Sequence, residues 1–155
     1  MNSYINIGER MYDLKSKKNV FGELIFLLNK NHNEYLNESF RKYELNAVQG
    51  LFLLKLNEFP ETTQRDLGIH FSLSKGSVAK YFIDLENKGY IKREKIEDDK
   101  RQYKITLTDK SRELIPVFRQ INYNWDEQVG LNDLGDDFLI SLSKLLENAS
   151  NVVVK

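Results

Sequence analysis

Cysteine is absent from this 155-residue chain, which excludes disulfide bonds, a thiolate nucleophile and control by thiol oxidation. Histidine and proline occur twice each, and the sequence has neither a glycine-rich phosphate loop nor a metal-ligand spacing. The acidic run 97–99 lies in a polar turn beside two basic residues, and a solvated turn explains it better than a cation site. We therefore expect no enzyme, no cofactor and no metal centre.

Long apolar runs are also absent. The stretch LIFLL at 24–28 has five residues, far fewer than the ~20 that a membrane-spanning helix needs. The first twenty residues lack the basic start and apolar core of a signal peptide. We expect a cytoplasmic protein that does not enter a membrane.

The charges are unevenly distributed, although the net charge is zero. Residues 62–112 contain 12 Lys or Arg and 8 Asp or Glu, whereas residues 113–155 contain 3 and 7. A basic middle segment is typical of a surface that meets an anion, although ordinary surface scatter explains the imbalance equally well.

The apolar spacing and the capping residues predict four helices in the first half of the chain. The first runs from Val20 to Tyr43. The second is capped by Asn46 and ended by Pro60. The third begins at Thr63 and reaches about residue 71. The fourth is capped by Ser74 and ends at Lys88, because the next residue is a glycine that can adopt a left-handed conformation.

Beyond the fourth helix the apolar period changes from helical spacing to alternation. Residues 90–96 and 102–108 read as two strands joined by the polar turn 97–101, which makes a hairpin. Thr108 then caps a long fifth helix that contains Pro116, where we expect a bend and not an end. A last helix carries an apolar stripe that begins at Leu134.

The third and fourth helices and the tight turn between them form a helix-turn-helix, whose second helix enters the major groove of DNA. In that helix Val78, Phe82 and Leu85 are expected to face the domain core. Small, hydroxylated or basic residues at the turn and on the opposite face are expected to meet DNA, because they allow close approach and can hold phosphates. These residues are Ser72, Ser74, Lys75, Gly76, Ser77, Lys80 and Tyr81.

The hairpin that follows is expected to act as a wing. Its tip carries Lys100 and Arg101, and arginine suits the enhanced negative potential of a narrow minor groove. Asp99 is expected to hold Arg101 in position through an ion pair. The element order therefore predicts a mainly α-helical protein with a small β-hairpin wing, in which a winged helix-turn-helix is flanked by long N- and C-terminal helices.

Residues 62–112 resemble the winged-helix domain of MarR-type transcriptional regulators. The resemblance rests on TQRDLG in the third helix, SKGSVAKYFIDLENKGYIKRE through the recognition helix and first strand, and DDKRQYKITLTDKS through the wing. In the last stretch Asp99 and Arg101 match the family's D-x-R pair. Ser111 departs from the family by replacing its usual glycine.

The resemblance implies a sequence-specific regulator of transcription, with repression the expected mode, that binds a palindromic DNA operator as a homodimer. It also implies a crevice for a small aromatic or anionic effector between the dimer helices and the winged helix.

We expect dimerisation regions at 1–45 and 109–155 around a DNA-binding domain at 46–108. The expected interface residues are Phe118, Ile121, Trp125, Phe138, Leu142 and Leu145. A winged helix that binds protein and not DNA is the alternative, because fold does not fix function.

Overall fold

The structure of the protein is a computed structural model that describes residues 4–7, 10–13, 20–96 and 99–153. The first half contains β1 (Tyr4–Ile7), β2 (Arg10–Asp13), α1 (Val20–Phe40), α2 (Ala47–Glu58), α3 (Gln64–His70) and α4 (Lys75–Asn87). The second half contains β3 (Ile91–Ile96), β4 (Asp99–Leu107), α5 (Asp109–Gln128) and α6 (Asp136–Val153). The prediction of a mainly α-helical chain with a two-stranded wing is confirmed.

Four helices begin at the residues that the sequence marked as caps. The side-chain oxygens of Asn46, Thr63, Ser74 and Thr108 each accept a hydrogen bond from the backbone N–H three residues later. Such a cap satisfies one of the free amides of the first helical turn. The fourth helix ends before Gly89, whose φ of 73° is left-handed as predicted.

Several boundaries differ from the predictions because of local backbone geometry. The α-helical part of α1 stops at Phe40, and a 3-10 turn follows until Glu44 adopts a φ of 59°. The last helix begins after Gly135 and not at Leu134, which belongs to a separate 3-10 turn. The wing is longer than predicted, since β4 already begins at Asp99. The β1–β2 hairpin had no counterpart in the predictions.

The core lies where α1, α2, α4, α5 and the wing meet. Phe52 of α2 packs against Phe82 of α4, with ring centroids 5.4 Å apart. Phe40 at the end of α1 packs edge-on against Phe118 of α5, 5.1 Å away. All four rings are fully buried. Burying apolar side chains of this size stabilises the fold by about 1.5–3 kcal/mol each.

Two of the expected dimer residues belong to this core. Phe118 is fully buried inside the protomer and Ile121 is nearly so, because α5 packs on α1 and α2. They therefore offer a partner little surface, in contrast to the prediction. Trp125 is half-buried against His32 and Tyr35 of α1, with centroids 5.1 and 5.3 Å away. Burial lowers the pKa of His32, which keeps the ring neutral near pH 7.

Helix α6 is exposed along its described length, including Phe138, Leu142 and Leu145. The N-terminal half of α1 also exposes apolar residues, among them Phe21, Ile25 and Phe26. Within the described ranges, no helix is long and apolar enough to cross a membrane.

Candidate nucleic-acid interface

Helix α4 is anchored on one face and open on the other. Val78, Phe82 and Leu85 are buried in the core, as predicted. Lys75 at the start of the helix and Lys80 one turn later are exposed on the other side. The helix therefore presents a basic face to solvent while its position is set by packing.

The turn before α4 is tight and strained. Leu73 N–H donates to the Gly68 carbonyl over 2.9 Å, which closes the connection between α3 and α4. A Cβ on Gly68 would lie 3.2 Å from Val78 Cγ2, so the glycine allows the two helices to approach. Ser72 has a φ of 52°, a left-handed conformation that is costly for residues with a Cβ. Ser72 is exposed at the end of α3.

The tip of α4 consists of small residues. The hydroxyls of Ser74 and Ser77 lie 3.0 Å apart, and Ser74 Oγ also accepts from the Ser77 N–H. Gly76 is exposed, and a Cβ added there would meet nothing within 4 Å. Packing within the protomer therefore does not require a glycine at this position, although glycine costs a helix roughly 1 kcal/mol relative to alanine.

Tyr81 does not face outward as fully as predicted. Its ring lies edge-on to Phe52, 6.0 Å between centroids, and the residue is half-buried against the core. The cause is an aromatic neighbour on α2 that sequence spacing within α4 could not reveal. Tyr81 contributes to the packing of α4 and offers less surface to DNA than Lys80.

The structure describes the expected wing-tip residues only in their backbone. The backbone of Asp99, Lys100 and Arg101 belongs to β4, but their side chains lie outside the described part of the chain. Lys92 in the first strand of the hairpin is another basic residue of the wing. It is exposed, but strand alternation places it on the hairpin face opposite Arg93, which contacts α4.

A groove of about 990 Å³ lies between α3, the start of α4 and the wing. Gln64, Arg65 and Tyr103 line it together with Lys75. Arg65 is exposed, and Gln64 Oε1 is buried without a hydrogen-bond partner among the residues that the structure describes. The sequence analysis did not identify these residues as candidates for DNA contact. Arg65 could have been found, because it is a basic residue in the first turn of α3.

Polar contacts fix α4 to the start of α2. Gln49 is buried, and its Nε2 donates to Asp84 Oδ2 over 2.6 Å while its Oε1 accepts from the Asn46 N–H. Lys88 Nζ donates to the same Asp84 oxygen and to the Glu44 carbonyl, both over 2.6 Å. The hydrogen bonds from Lys88 and Gln49 lower the pKa of Asp84, so this carboxylate is charged in the folded protein.

The described residues, those of this surface included, contain no group of three or more His, Asp or Glu arranged to hold a metal ion. The groups that the α4 surface exposes are hydroxyls, backbone amides of the first helical turn and cations. Such groups hold phosphates and read base edges.

Comparison with known proteins gives one family. The family model described as MarR family matches residues 45–103. The HTH-type transcriptional regulator MgrA of Staphylococcus aureus is 30% identical over 112 residues, covering 72% of this chain and 74% of that protein.

Solved structures agree with this result. A MarR transcriptional regulator from Methanosarcina mazei Go1 has a TM-score of 0.79 and 26% identity, covering 87% of this chain and 99% of that one. The MepR–DNA complex of S. aureus shares the fold, with a TM-score of 0.72 and 19% identity over 86% of this chain and 98% of that one. The chain therefore belongs to the MarR family of winged helix-turn-helix transcriptional regulators.

Proposed function

We propose that the protein regulates transcription as a homodimer that binds a palindromic DNA operator, with repression as its mode of action. In this proposal α4 enters the major groove and the wing tip reaches the adjacent minor groove. The observation that carries it is the outward face of α4, where exposed Lys75 and Lys80 flank an unobstructed Gly76 on a core-anchored helix. A regulator of this kind works on DNA, so we place it in the cytoplasm.

The proposed contacts divide by role. Lys75, Lys80 and Arg65 neutralise phosphates, while Gly76 lets the backbone approach the groove. The hydroxyls at the turn and helix tip are proposed to bond phosphates or base edges; they belong to Ser72, Ser74 and Ser77. Lys100 and Arg101 are proposed to contact DNA from the wing, with Asp99 orienting Arg101. Tyr81 is proposed to make a smaller, peripheral contact.

The test is a binding titration against the DNA upstream of the protein's own gene, with unrelated DNA as control, at two salt concentrations. Lys80→Ala should lower affinity and reduce the salt slope by about one unit if Lys80 holds a phosphate. Arg119→Ala removes one positive charge from the exposed side of α5, outside the proposed DNA and dimer surfaces, and should leave both unchanged. No binding even at low salt would contradict the proposal and favour a protein-binding winged helix.

We further propose that a second copy of the chain covers α6 and the start of α1. These segments carry apolar residues that the protomer leaves exposed, including Phe138, Leu142 and Leu145. Leu142→Glu should shift the protein toward monomer in analytical ultracentrifugation. Ile69→Glu, the same kind of change on exposed α3, should leave the oligomeric state unaltered. Dimer formation by both variants would contradict the assignment.

For the effector we propose the crevice of about 480 Å³ beside α1 and α5. Tyr35 and the cations Arg41 and Lys42 line it, together with Glu38, which pairs with Arg41. The aromatic ring and the remaining positive charge suit a small aromatic anion. Benzoate should lower the affinity of the wild type for DNA and affect Arg41→Ala less. An equal response of both proteins, or no response of the wild type, would contradict this site.

A further inference from the structure

Arg93 of β3 links the recognition helix α4 to the wing. Its backbone N–H donates to Glu86 Oε1 over 3.1 Å, and its Nε and NH2 groups donate to Glu86 Oε2 over 2.8 and 2.5 Å. Glu86 lies in the last turn of α4, seven residues earlier. The hydrogen bonds from Arg93 lower the pKa of Glu86, so the pair is ionised in the folded protein.

The guanidinium of Arg93 also contacts the second strand of the wing. Its Cζ lies 5.2 Å from the ring centroid of Tyr103 on β4. Arg93 pairs in register with Ile105, so Tyr103 is its diagonal neighbour across the hairpin. An arginine over an aromatic ring is attracted to the ring's negative face. One side chain thus connects α4, β3 and β4.

Arg93 has little capacity left for DNA. Only 16% of its side-chain surface is exposed, against 36% for Glu86. Its guanidinium is occupied by the carboxylate of Glu86 and by the Tyr103 ring. A phosphate-binding arginine needs free N–H groups at the surface. Two of the five guanidinium N–H groups bond Glu86, and the low exposure of the side chain limits access to the others.

The position of Tyr103 explains why this connection matters. Tyr103 lines the groove beside Lys75 and Ala79 at the start of α4. Arg101, the proposed minor-groove contact, precedes Tyr103 by two residues in β4, about 7 Å along the strand toward the wing tip. The orientation of the wing base relative to α4 therefore determines where the wing tip lies.

We propose that Arg93 is a positioning residue for DNA recognition, which fixes the wing against α4 so that both contact neighbouring grooves at once. The inference rests on the proposed DNA-binding function. If it holds, a variant with a weakened Arg93–Glu86 link loses DNA affinity because the wing tip is displaced, whereas the contacts that α4 makes with DNA are kept.

A double-mutant cycle tests this dependence. Arg93→Ala should lower affinity for the specifically bound DNA about tenfold in the wild type, but less than about threefold when Arg101→Ala is already present. The same change in a Lys80→Ala background should still cost about tenfold, because Lys80 acts from α4. Glu86→Gln is the milder variant for the same cycles if Arg93→Ala folds poorly, and Arg93→Lys should restore part of the affinity.

The salt slope separates positioning from direct contact. Arg93→Ala should leave the slope unchanged, whereas loss of a phosphate-binding cation lowers it by about one unit. Additive losses with Arg101→Ala, unchanged affinity of a folded variant, or a slope reduced by one would each overturn the inference. Absence of DNA binding by the wild type would instead overturn the proposed function itself.

Discussion

Replacing Gly76 with alanine should stabilise the protein and weaken its binding to DNA. Gly76 lies in the first turn of α4, and a Cβ added there would meet none of the protomer's described atoms within 4 Å. The methyl group therefore causes no clash inside the fold. Alanine removes the backbone entropy cost of glycine, so we expect the free energy of unfolding to rise by about 0.5–1 kcal/mol.

The same methyl group should obstruct DNA if α4 approaches the groove at this residue. Moving the helix tip outward would weaken at least one contact to a base or phosphate, and one good base contact contributes about 1–3 kcal/mol. We therefore expect affinity for specific DNA to fall at least about tenfold, which corresponds to about 1.4 kcal/mol. The assays are urea unfolding at fixed protein concentration and a DNA titration at fixed salt.

Gly22 provides a matched control. It lies in the first turn of α1, is exposed, and a Cβ there would also meet nothing within 4 Å. Gly22→Ala should stabilise the protomer to a similar extent. Because the start of α1 belongs to the proposed dimer interface, the control uses the variant at a concentration where ultracentrifugation shows a dimer, and its DNA affinity should then be unchanged. The reasoning would be refuted if Gly76→Ala bound DNA as tightly as the wild type, or if both variants lost affinity equally.

Three further predictions concern the support of α4. Gln49→Ala should lower the free energy of unfolding by about 2–3 kcal/mol, because it removes a buried hydrogen bond to a carboxylate and one to a helix cap. The control Gln120→Ala, at an exposed position, should change the free energy of unfolding by less than about 0.5 kcal/mol. Equal effects of the two changes in urea unfolding would contradict this prediction. Ser72→Gly should be more stable than Ser72→Ala by about 1 kcal/mol in the same assay, because φ is positive; the reverse order would contradict the strain. The lowered pKa of Asp84 means that its contribution to stability is present above its unfolded-state pKa and is lost as pH falls through the folded-state pKa. Unfolding curves between neutral pH and pH 3 should therefore show Asp84→Asn less stable than the wild type near pH 7 and the difference shrinking in acid, whereas a constant difference would argue against the ion pair.

Local signals predicted most of the fold correctly. The caps at Asn46, Thr63 and Ser74 depend on a side-chain oxygen reaching an amide three residues away, so the residues of one helical turn suffice to identify them. The core face of α4 follows in the same way from helical spacing. The β1–β2 hairpin was missed, although the pair Gly-Glu at positions 8–9 separates two short runs that contain Tyr or Ile, a pattern that fits a two-residue hairpin loop.

The candidate site was predictable only where it is continuous in the chain. Ser74, Lys75, Gly76 and Lys80 share one helix, and their exposure follows from the burial of its opposite face. Arg65 and Tyr103 join them in the groove through packing of α3 and the wing, which residue spacing does not encode.

The sequence by itself determined the order of the elements from α1 to α6, the capped starts of α2 to α5 and the basic outer face of α4, because these depend on backbone propensity and side chains within a few residues. Only the tertiary structure decided which apolar stripes the protomer buries. It placed Phe118 in the core and left Leu142 exposed, although both lie on amphipathic helices. It also turned Tyr81 toward Phe52 and Arg93 toward Glu86. The physical reason is that burial and long-range ion pairs depend on which faces meet in space, and helical spacing is the same whichever partner is present.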